Sequence, residues 1–246
     1  MSQMPRKSID LSEDRGKTLA MFDVSRETIA RLDRFVALLL TWQHRINLIS
    51  PSTIPVLWTR HIADSLQLLQ LVNARPSSSL IRKRGREGEG RVWLDLGTGG
   101  GFPGLVIACA LTDVLGTEIH LVESNLKKAA FLREAIRETK VPGIVHAARI
   151  ETLVPALGAI ADYVTARALA PLPDLLEMIA PFLKKGAKAF LLKGQDLDME
   201  LTKATKSWNI EAESVPSKTS KTGRILIVRA LSKRTPTPPS PATRVG

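Results

Sequence analysis

A chain of 246 residues, 44% of them hydrophobic and 4% aromatic, can bury one sizeable core and fits a single main domain with short appendages. Its longest apolar runs, Phe35–Leu40 and Leu105–Leu111, fall far short of the roughly 20 residues a membrane-spanning helix needs, so no membrane partner is expected. The net charge is +11, and Ser214–Gly246 holds seven Lys or Arg and no acid, an excess that favours a polyanionic partner such as nucleic acid.

The residues through Arg15 lack the basic, apolar and small-residue series of a secretory signal, and a cytoplasmic protein is expected. The single cysteine, Cys109, lies in an apolar run and reads as a buried, inert thiol. His44, His61, His120 and His146 are scattered without the close pairing of helical metal ligands, so no metal is expected.

In chain order, residues 1–25 are polar and mixed and read as a flexible lead. Ile29, Leu32, Phe35, Val36, Leu39 and Leu40 recur at helical spacing, which predicts a helix near Arg26–Trp42. A turn-like segment, Ser50–Pro55, precedes a second helix near Val56–Leu71 with Trp58, Ile62, Leu66 and Leu69 on one face. These helices, within residues 26–75, are expected to pack on the main domain. Residues 76–90, with three serines, Arg82–Arg84 and Gly85, Gly88 and Gly90, cannot build a core and read as a basic mobile loop.

From residue 91 to 231, β-rich runs alternate with helical segments: strand 92–96, helix 103–115, strand 119–123, helix 125–139, strand 144–148, strand 163–166, helix 172–183, strand 188–192, helix 197–206. That rhythm predicts an α/β fold with a mostly parallel sheet. Strands 210–215 and 224–230 are joined too closely for a helical crossover, so they should pair antiparallel as a terminal hairpin. Residues 232–246 read as a basic, proline-rich tail.

The central chemical signal is Leu94-Asp95-Leu96-Gly97-Thr98-Gly99-Gly100-Gly101-Phe102-Pro103-Gly104, directly after a strand and opening a helix. Glycines there permit positive φ and close backbone approach to a ligand. Gly99-x-Gly101-x-x-Gly104 also satisfies dinucleotide spacing, but Asp95 at the strand end would repel a pyrophosphate. An acid there suits the sulfonium and amino groups of S-adenosylmethionine, and Asp-x-Gly-x-Gly-x-Gly from Asp95 resembles the first motif of class I methyltransferases. Glu123 ends the next strand, where a carboxylate takes ribose hydroxyls in either cofactor class. Ile150 and Glu151 follow the third strand, where the adenine edge is expected, although Glu151 equally suits the first turn of a helix.

Further matches accumulate in order: Trp42-x-x-x-Ile46-Asn47-Leu48, Trp58-Thr59-Arg60-His61-Ile62-x-Asp64-Ser65-Leu66, Lys127-Lys128, Arg167-Ala168 and Leu192-Lys193-Gly194-Gln195. Over roughly residues 30–231 the chain resembles the bacterial 16S rRNA guanine-N7 methyltransferase family, also called the glucose-inhibited division B family. The resemblance implies a class I methyltransferase, Rossmann-like seven-stranded fold and S-adenosylmethionine as cofactor. It also implies 16S rRNA or the small ribosomal subunit as partner, and a monomer is expected. It implies that Gly97 and Phe102 contact the cofactor, with Thr98, Gly99 and Gly101 in the same loop, that Ile150 and Glu151 border the adenine, and that Arg167 faces the site. Gly100 departs from the family's usual proline, and Ile49 from its usual threonine.

Arg167 and Lys193 end strands and could hold a phosphate or carboxylate or simply form surface ion pairs; His61 and Arg60 could close over the cofactor or grip RNA. Arg167, Lys193 and His61 are the positioning candidates, because guanine N7 is a lone-pair nucleophile that needs no deprotonation. Trp42 and Trp58 read as core residues. No Pro-Cys nucleophile and no Asn-Pro-Pro-aromatic run is present, which accords with N7 chemistry. A nicotinamide-dependent oxidoreductase and a non-catalytic RNA-binding protein are the competing readings.

Overall fold

The structure, a computed structural model, describes residues 10–73, 91–158 and 160–234. It opens with two helices, α1 (Ser12–Met21) and α2 (Arg26–Gln43). In α2 the Ser25 hydroxyl accepts a hydrogen bond from the Thr28 N–H as N-cap, and Leu32, Phe35, Val36 and Leu39 are buried at helical spacing. Helix α1 corrects the expectation of a flexible lead over residues 1–25, of which 1–9 lie outside the described residues. Its few apolar groups give little periodic signal, and polar contacts hold it. Arg15 forks onto Asp33 of α2 at 2.7 and 2.8 Å. Asp14 accepts hydrogen bonds from the Trp58 N–H at 2.7 Å, the Thr59 N–H at 3.2 Å and the Thr59 hydroxyl at 2.5 Å.

The turn-like stretch expected over Ser50–Pro55 is a 3-10 segment (Pro51–Val56), and the helix expected near Val56–Leu71 follows it as a π-helical turn (Trp58–Ala63) running into α3 (Asp64–Asn73). Pro51 and Pro55 supply no N–H, so the segment begins with the tighter winding rather than an α-turn. Asp14 then places a carboxylate on the orphan N–H groups at the start of the π-turn. Trp58 is buried, and Trp42 packs against the core edge-on to Phe131 at 5.8 Å.

Seven strands form one sheet: β1 (Val92–Leu96), β2 (Glu118–Val122), β3 (Gly143–His146), β4 (Tyr163–Arg167), β5 (Lys188–Lys193), β6 (Trp208–Pro216) and β7 (Arg224–Lys233). Their order is β3-β2-β1-β4-β5-β7-β6. The first five are parallel, and β7 pairs antiparallel with both β5 and β6, as the short connection requires. The crossovers are α4 (Gly104–Leu111), α5 (Leu126–Thr139), α6 (Ile150–Leu157) and α7 (Leu172–Leu183), followed by α8 (Leu197–Ala204). Helix α6, whose start the helical reading of Glu151 allowed, is short and carries Pro155.

Strand alternation divides the core. Trp93, Ile119 and Leu121 share one cluster with residues of α2, α3, α4 and α5, while Leu94, Leu96 and Val122 share another with α6, α7 and α8. The N-terminal helices therefore belong to the same packed body as the sheet. Cys109 is fully buried, and burial pushes its thiol up to about 12, so it is the inert group the sequence suggests.

One boundary moves. The proline-rich tail, expected from residue 232, starts later, because β7 continues to Lys233 with its ammonium 4.0 Å from the Trp208 ring centre. The rest of the tail and the basic loop at 76–90 lie outside the described residues. Two of the four scattered histidines meet across neighbouring strands, His120 and His146, with rings stacked at 5.1 Å. No group among the described residues has the makings of a metal site, and no described helix is long and apolar enough to cross a membrane.

Replacing Asp14 with Ala should lower stability by about 1–2 kcal/mol, the size of a lost helix cap, as read from urea unfolding. An unchanged unfolding midpoint would show that the Trp58 and Thr59 amides are equally well served by water.

Candidate active site

Chain order along the sheet reverses at the β1–β4 pair, and there, at the carboxyl ends of the parallel strands, a cavity of about 840 Å³ opens. That is near the top of the roughly 300–1,000 Å³ range of small-molecule sites, enough for two reactants side by side.

One wall is the glycine loop. Gly97, Gly99 and Gly101 have φ of 64°, 58° and 92°, a region L side chains rarely enter. Gly104 answers a different demand: a Cβ there would stand 2.3 Å from Leu121 Cδ2 and 2.7 Å from Asp95 Cβ, so only glycine lets α4 start this close to the sheet. Asp95 itself is buried beneath the loop. Its Oδ2 accepts the Gly104 N–H at 2.8 Å and its Oδ1 accepts the Thr165 hydroxyl at 2.7 Å. Burial pushes its carboxyl up to about 6, opposed by those hydrogen bonds and by the charge of Arg167. The expectation that Asp95 binds the cofactor directly is therefore corrected: Asp95 and Gly101 do not line the cavity, and Asp95 acts as a strut.

Gly97, Thr98, Gly99, Phe102, Glu123, Ile150, Glu151 and Arg167, expected from the sequence to meet a cofactor, all line it. Glu123 is tied to the loop, its Oε2 accepting from the Gly99 N–H at 3.0 Å and its Oε1 from the Asn125 N–H at 2.7 Å. Glu151 stands in the first turn of α6 with its side chain exposed at the cavity, the helical setting that the sequence allowed.

The opposite wall comes from the N-terminal segment, which sequence reasoning left largely unassigned. The Gln43 amide splints a bend by donating to the Ile49 carbonyl at 2.8 Å and accepting from the Leu48 and Ile49 N–H groups. Leu48 then lies so close to the loop that a Cβ on Gly100 would sit 3.0 Å from its carbonyl oxygen. The missing proline at Gly100 is thus accompanied by a tight loop contact.

Arg167 closes β4 and stands between the two walls. It donates to the Arg60 carbonyl at 3.0 Å and to His61 Nδ1 at 2.6 Å, lies 3.6 Å from Asp64 Oδ2, and sits over the Phe102 ring at 5.2 Å. Burial lowers its pKa from the ordinary arginine value while Asp64 and Asp95 oppose that shift; it stays cationic. His61 is buried, lies tilted against Phe102 with ring centres 4.8 Å apart, and is pushed down to about 3 by burial, then by Arg167 and Arg60. Asp64 was missed as a site residue. Its Oδ1 accepts from Thr219 at 2.8 Å and Gln67 at 2.8 Å, tying the β6–β7 turn to the cavity. The available signal was the spacing of Arg60, His61 and Asp64, which shares one helical face.

Lys193 borders the cavity but is held inside the protein. Its Nζ lies 2.5 Å from Glu200 Oε2 and 3.3 Å from the Ala170 carbonyl, and the same carboxylate oxygen accepts the Leu172 N–H. The phosphate-binding option for Lys193 gives way to an internal brace between β5, α7 and α8.

The family profile described as rRNA small subunit methyltransferase G matches residues 28–228. The chain belongs to this family. Ribosomal RNA small subunit methyltransferase G of Bradyrhizobium sp. (strain ORS 278) is 51% identical over 225 residues, covering 92% of this chain and 95% of the relative. That of Rhodopseudomonas palustris (strain BisB18) is 48% identical over 244 residues, covering 98% of each. Among solved structures, an O-methyltransferase from Bacillus cereus in complex with SAH superimposes with a TM-score of 0.55 at 13% identity, covering 89% of this chain and 97% of that one. This last likeness speaks for the fold. Membership of the rRNA small subunit methyltransferase G family removes the support for the nicotinamide-dependent and non-catalytic readings.

In this family member, His61 and Asp95 couple stability to pH in opposite senses. Between about pH 6.5 and 3 the unfolded chain takes up a proton that folded His61 refuses, so its contribution is complete above 6.5 and lost as pH falls. Between about 3.8 and 6 folded Asp95 keeps a proton the unfolded chain releases, so its contribution is lost as pH rises. Subtracting the stability of His61→Asn from wild type isolates the first. The difference should shrink by up to about 1.4 kcal/mol per pH unit on acidification through that window, followed by urea unfolding; a pH-independent difference would mean that His61 titrates alike in both states.

Proposed function

We propose that this chain transfers a methyl group from S-adenosylmethionine to N7 of a guanine in 16S rRNA, as a cytoplasmic monomer acting on the small ribosomal subunit or its RNA. The observation that carries the reading is the two-walled cavity at the strand ends of a member of this family, with a glycine loop on one side and space beside it for a base. The residues fit the cofactor. A Cβ on Gly99 would meet nothing nearer than 3.8 Å, so the loop presents open space where backbone can meet a ligand. Glu123 and Glu151 offer carboxylates to ribose and adenine polar groups, and Ile150 an apolar edge.

Bound S-adenosylmethionine supplies an electrophilic methyl on a sulfonium. The protein's part is to bind, align and exclude water. Guanine N7 brings its own lone pair, so no side chain has to remove a proton. The cavity accords with that: its histidine spends Nδ1 on Arg167, and Cys109 is sealed in the core. Alignment alone can contribute about 7–11 kcal/mol of a two-reactant barrier. Arg60, Lys128 and Arg149 border the same cavity and supply cations for RNA phosphates.

Small-subunit RNA from cells lacking this protein should accept labelled methyl from S-adenosylmethionine in its presence, with 7-methylguanosine as the product after nuclease digestion. Label on any other nucleoside, or none, would sink the proposal. Gly97→Asp should abolish cofactor binding in calorimetry, because the position needs positive φ and a Cβ would stand 2.5 Å from Leu169 Cδ1. Retained affinity would place the cofactor elsewhere.

A further inference from the structure

We infer that His61 is a positioning residue for methyl transfer: as an uncharged acceptor it fixes Arg167 at the boundary between the half of the cavity that takes the cofactor and the half left for the acceptor base. The inference rests on the methyl-transfer reading and adds a role for a cavity-lining side chain that acts through Arg167.

The placement of Arg167 defines the boundary. It ends β4, flanked by β1, whose loop forms the cofactor wall, and by β5, whose end borders the other half. A guanidinium has five N–H donors in a rigid fork, so fixing two of them aims the rest. One goes to the Arg60 carbonyl and one to His61 Nδ1, while Phe102 holds the planar face. Asp64 Oδ2 lies 3.6 Å from the same guanidinium, and the donors that these three groups do not engage are left for whatever occupies the cavity that Arg167 lines.

This arrangement allows His61 one protonation state. Nδ1 faces a permanent cation that donates to it, so Nδ1 must carry a lone pair. The ring proton is then on Nε2, 2.8 Å from the Thr53 hydroxyl, which in turn donates to the Ser50 carbonyl at 2.8 Å. Every hydrogen bond in the chain from Arg167 to Ser50 is satisfied by that single tautomer, assigned from the network. The charged groups around the ring are Arg167 from β4, Arg60 from its own turn, and Asp64 beyond, while Thr53 and Phe102 contribute none. Burial and the two arginines both oppose protonation.

Neutrality matters to the chemistry. Methyl transfer moves a positive charge from sulfur onto the purine, and a second cation next to Arg167 would raise the energy of that charge and repel the guanidinium. Asp64 offsets one cation at the site. With Arg60 already beside the ring, an imidazolium at 61 would set a third cation against that one carboxylate.

Two substitutions separate positioning from packing. His61→Phe keeps an aromatic ring on Phe102 and removes the acceptor; His61→Asn gives up the ring and restores an acceptor oxygen near the place of Nδ1. With under-methylated small-subunit RNA, His61→Phe should lose roughly 10–100-fold in kcat, the scale of a displaced aligning group, with cofactor binding in calorimetry retained. His61→Asn should recover most of that loss. If His61→Phe stays within about threefold of wild type in kcat, or both variants fall only in proportion to the fraction unfolded, the proposal is overturned.

A second readout needs no activity. In ¹⁵N-labelled wild-type protein the His61 ring should show a bare Nδ1 and a protonated Nε2 from pH 8 down to 5, and lose that signature in Arg167→Ala. Protonation of His61 near pH 6.5 would refute the pairing even in an active enzyme. A wild-type protein that methylates no rRNA would instead refute the proposed function, while the ring signature would still report on the pair.

Discussion

A buried carboxylate under the glycine loop carries the geometry of the whole site. Asp95 binds the first N–H of α4 with one oxygen and the Thr165 hydroxyl of β4 with the other, so loop, helix start and neighbouring strand share one anchor. An acid in that position is costly, and burial holds its pKa well above an ordinary carboxylate's. Hydrogen bonds offset the cost, and the return is a loop whose three positive-φ glycines hold a defined path.

From that anchor the site grows in two directions. Toward β2 and β3, Glu123 accepts the Gly99 N–H, and the start of α6 brings Ile150 and Glu151 to the rim. Toward the N-terminal segment, Phe102 at the loop's end supports His61 and Arg167 together. The segment itself is held at both ends by half-buried polar side chains: Gln43 splints the bend at Leu48 and Ile49, and Asp14 caps the π-turn that presents Arg60 and His61. π-Turns concentrate at functional sites because the wider winding redirects side chains and carbonyls. Here it directs a carbonyl and an imidazole onto the same guanidinium.

Charge is divided by location. The cations inside the cavity are committed, Lys193 to Glu200 and Arg167 to His61, Arg60 and Asp64, which keeps the interior rigid. Exposed Arg60 and Arg149 stand at its edge with the half-buried Lys128, in a chain whose net charge is +11. Paired cations inside the cavity and exposed ones at its edge suit a polyanionic partner.

Local pattern determined most of the architecture. Apolar spacing at 3.6 gave away α2, apolar runs alternating with helical segments gave away the parallel sheet, the short connection gave away the closing hairpin, and the Asp95–Gly104 run marked the loop because positive φ and close approach leave few residue choices. Four things needed the tertiary structure: the order of α1, the π-turn at Trp58, the strut role of Asp95, and the meeting of His61 with Arg167 across 106 residues. Each depends on a polar group whose partner is distant in the chain. Hydrophobic burial repeats with the period of its own element and so is written locally, whereas a hydrogen bond between remote residues leaves no periodic trace and exists only once folding has brought donor and acceptor within about 3 Å.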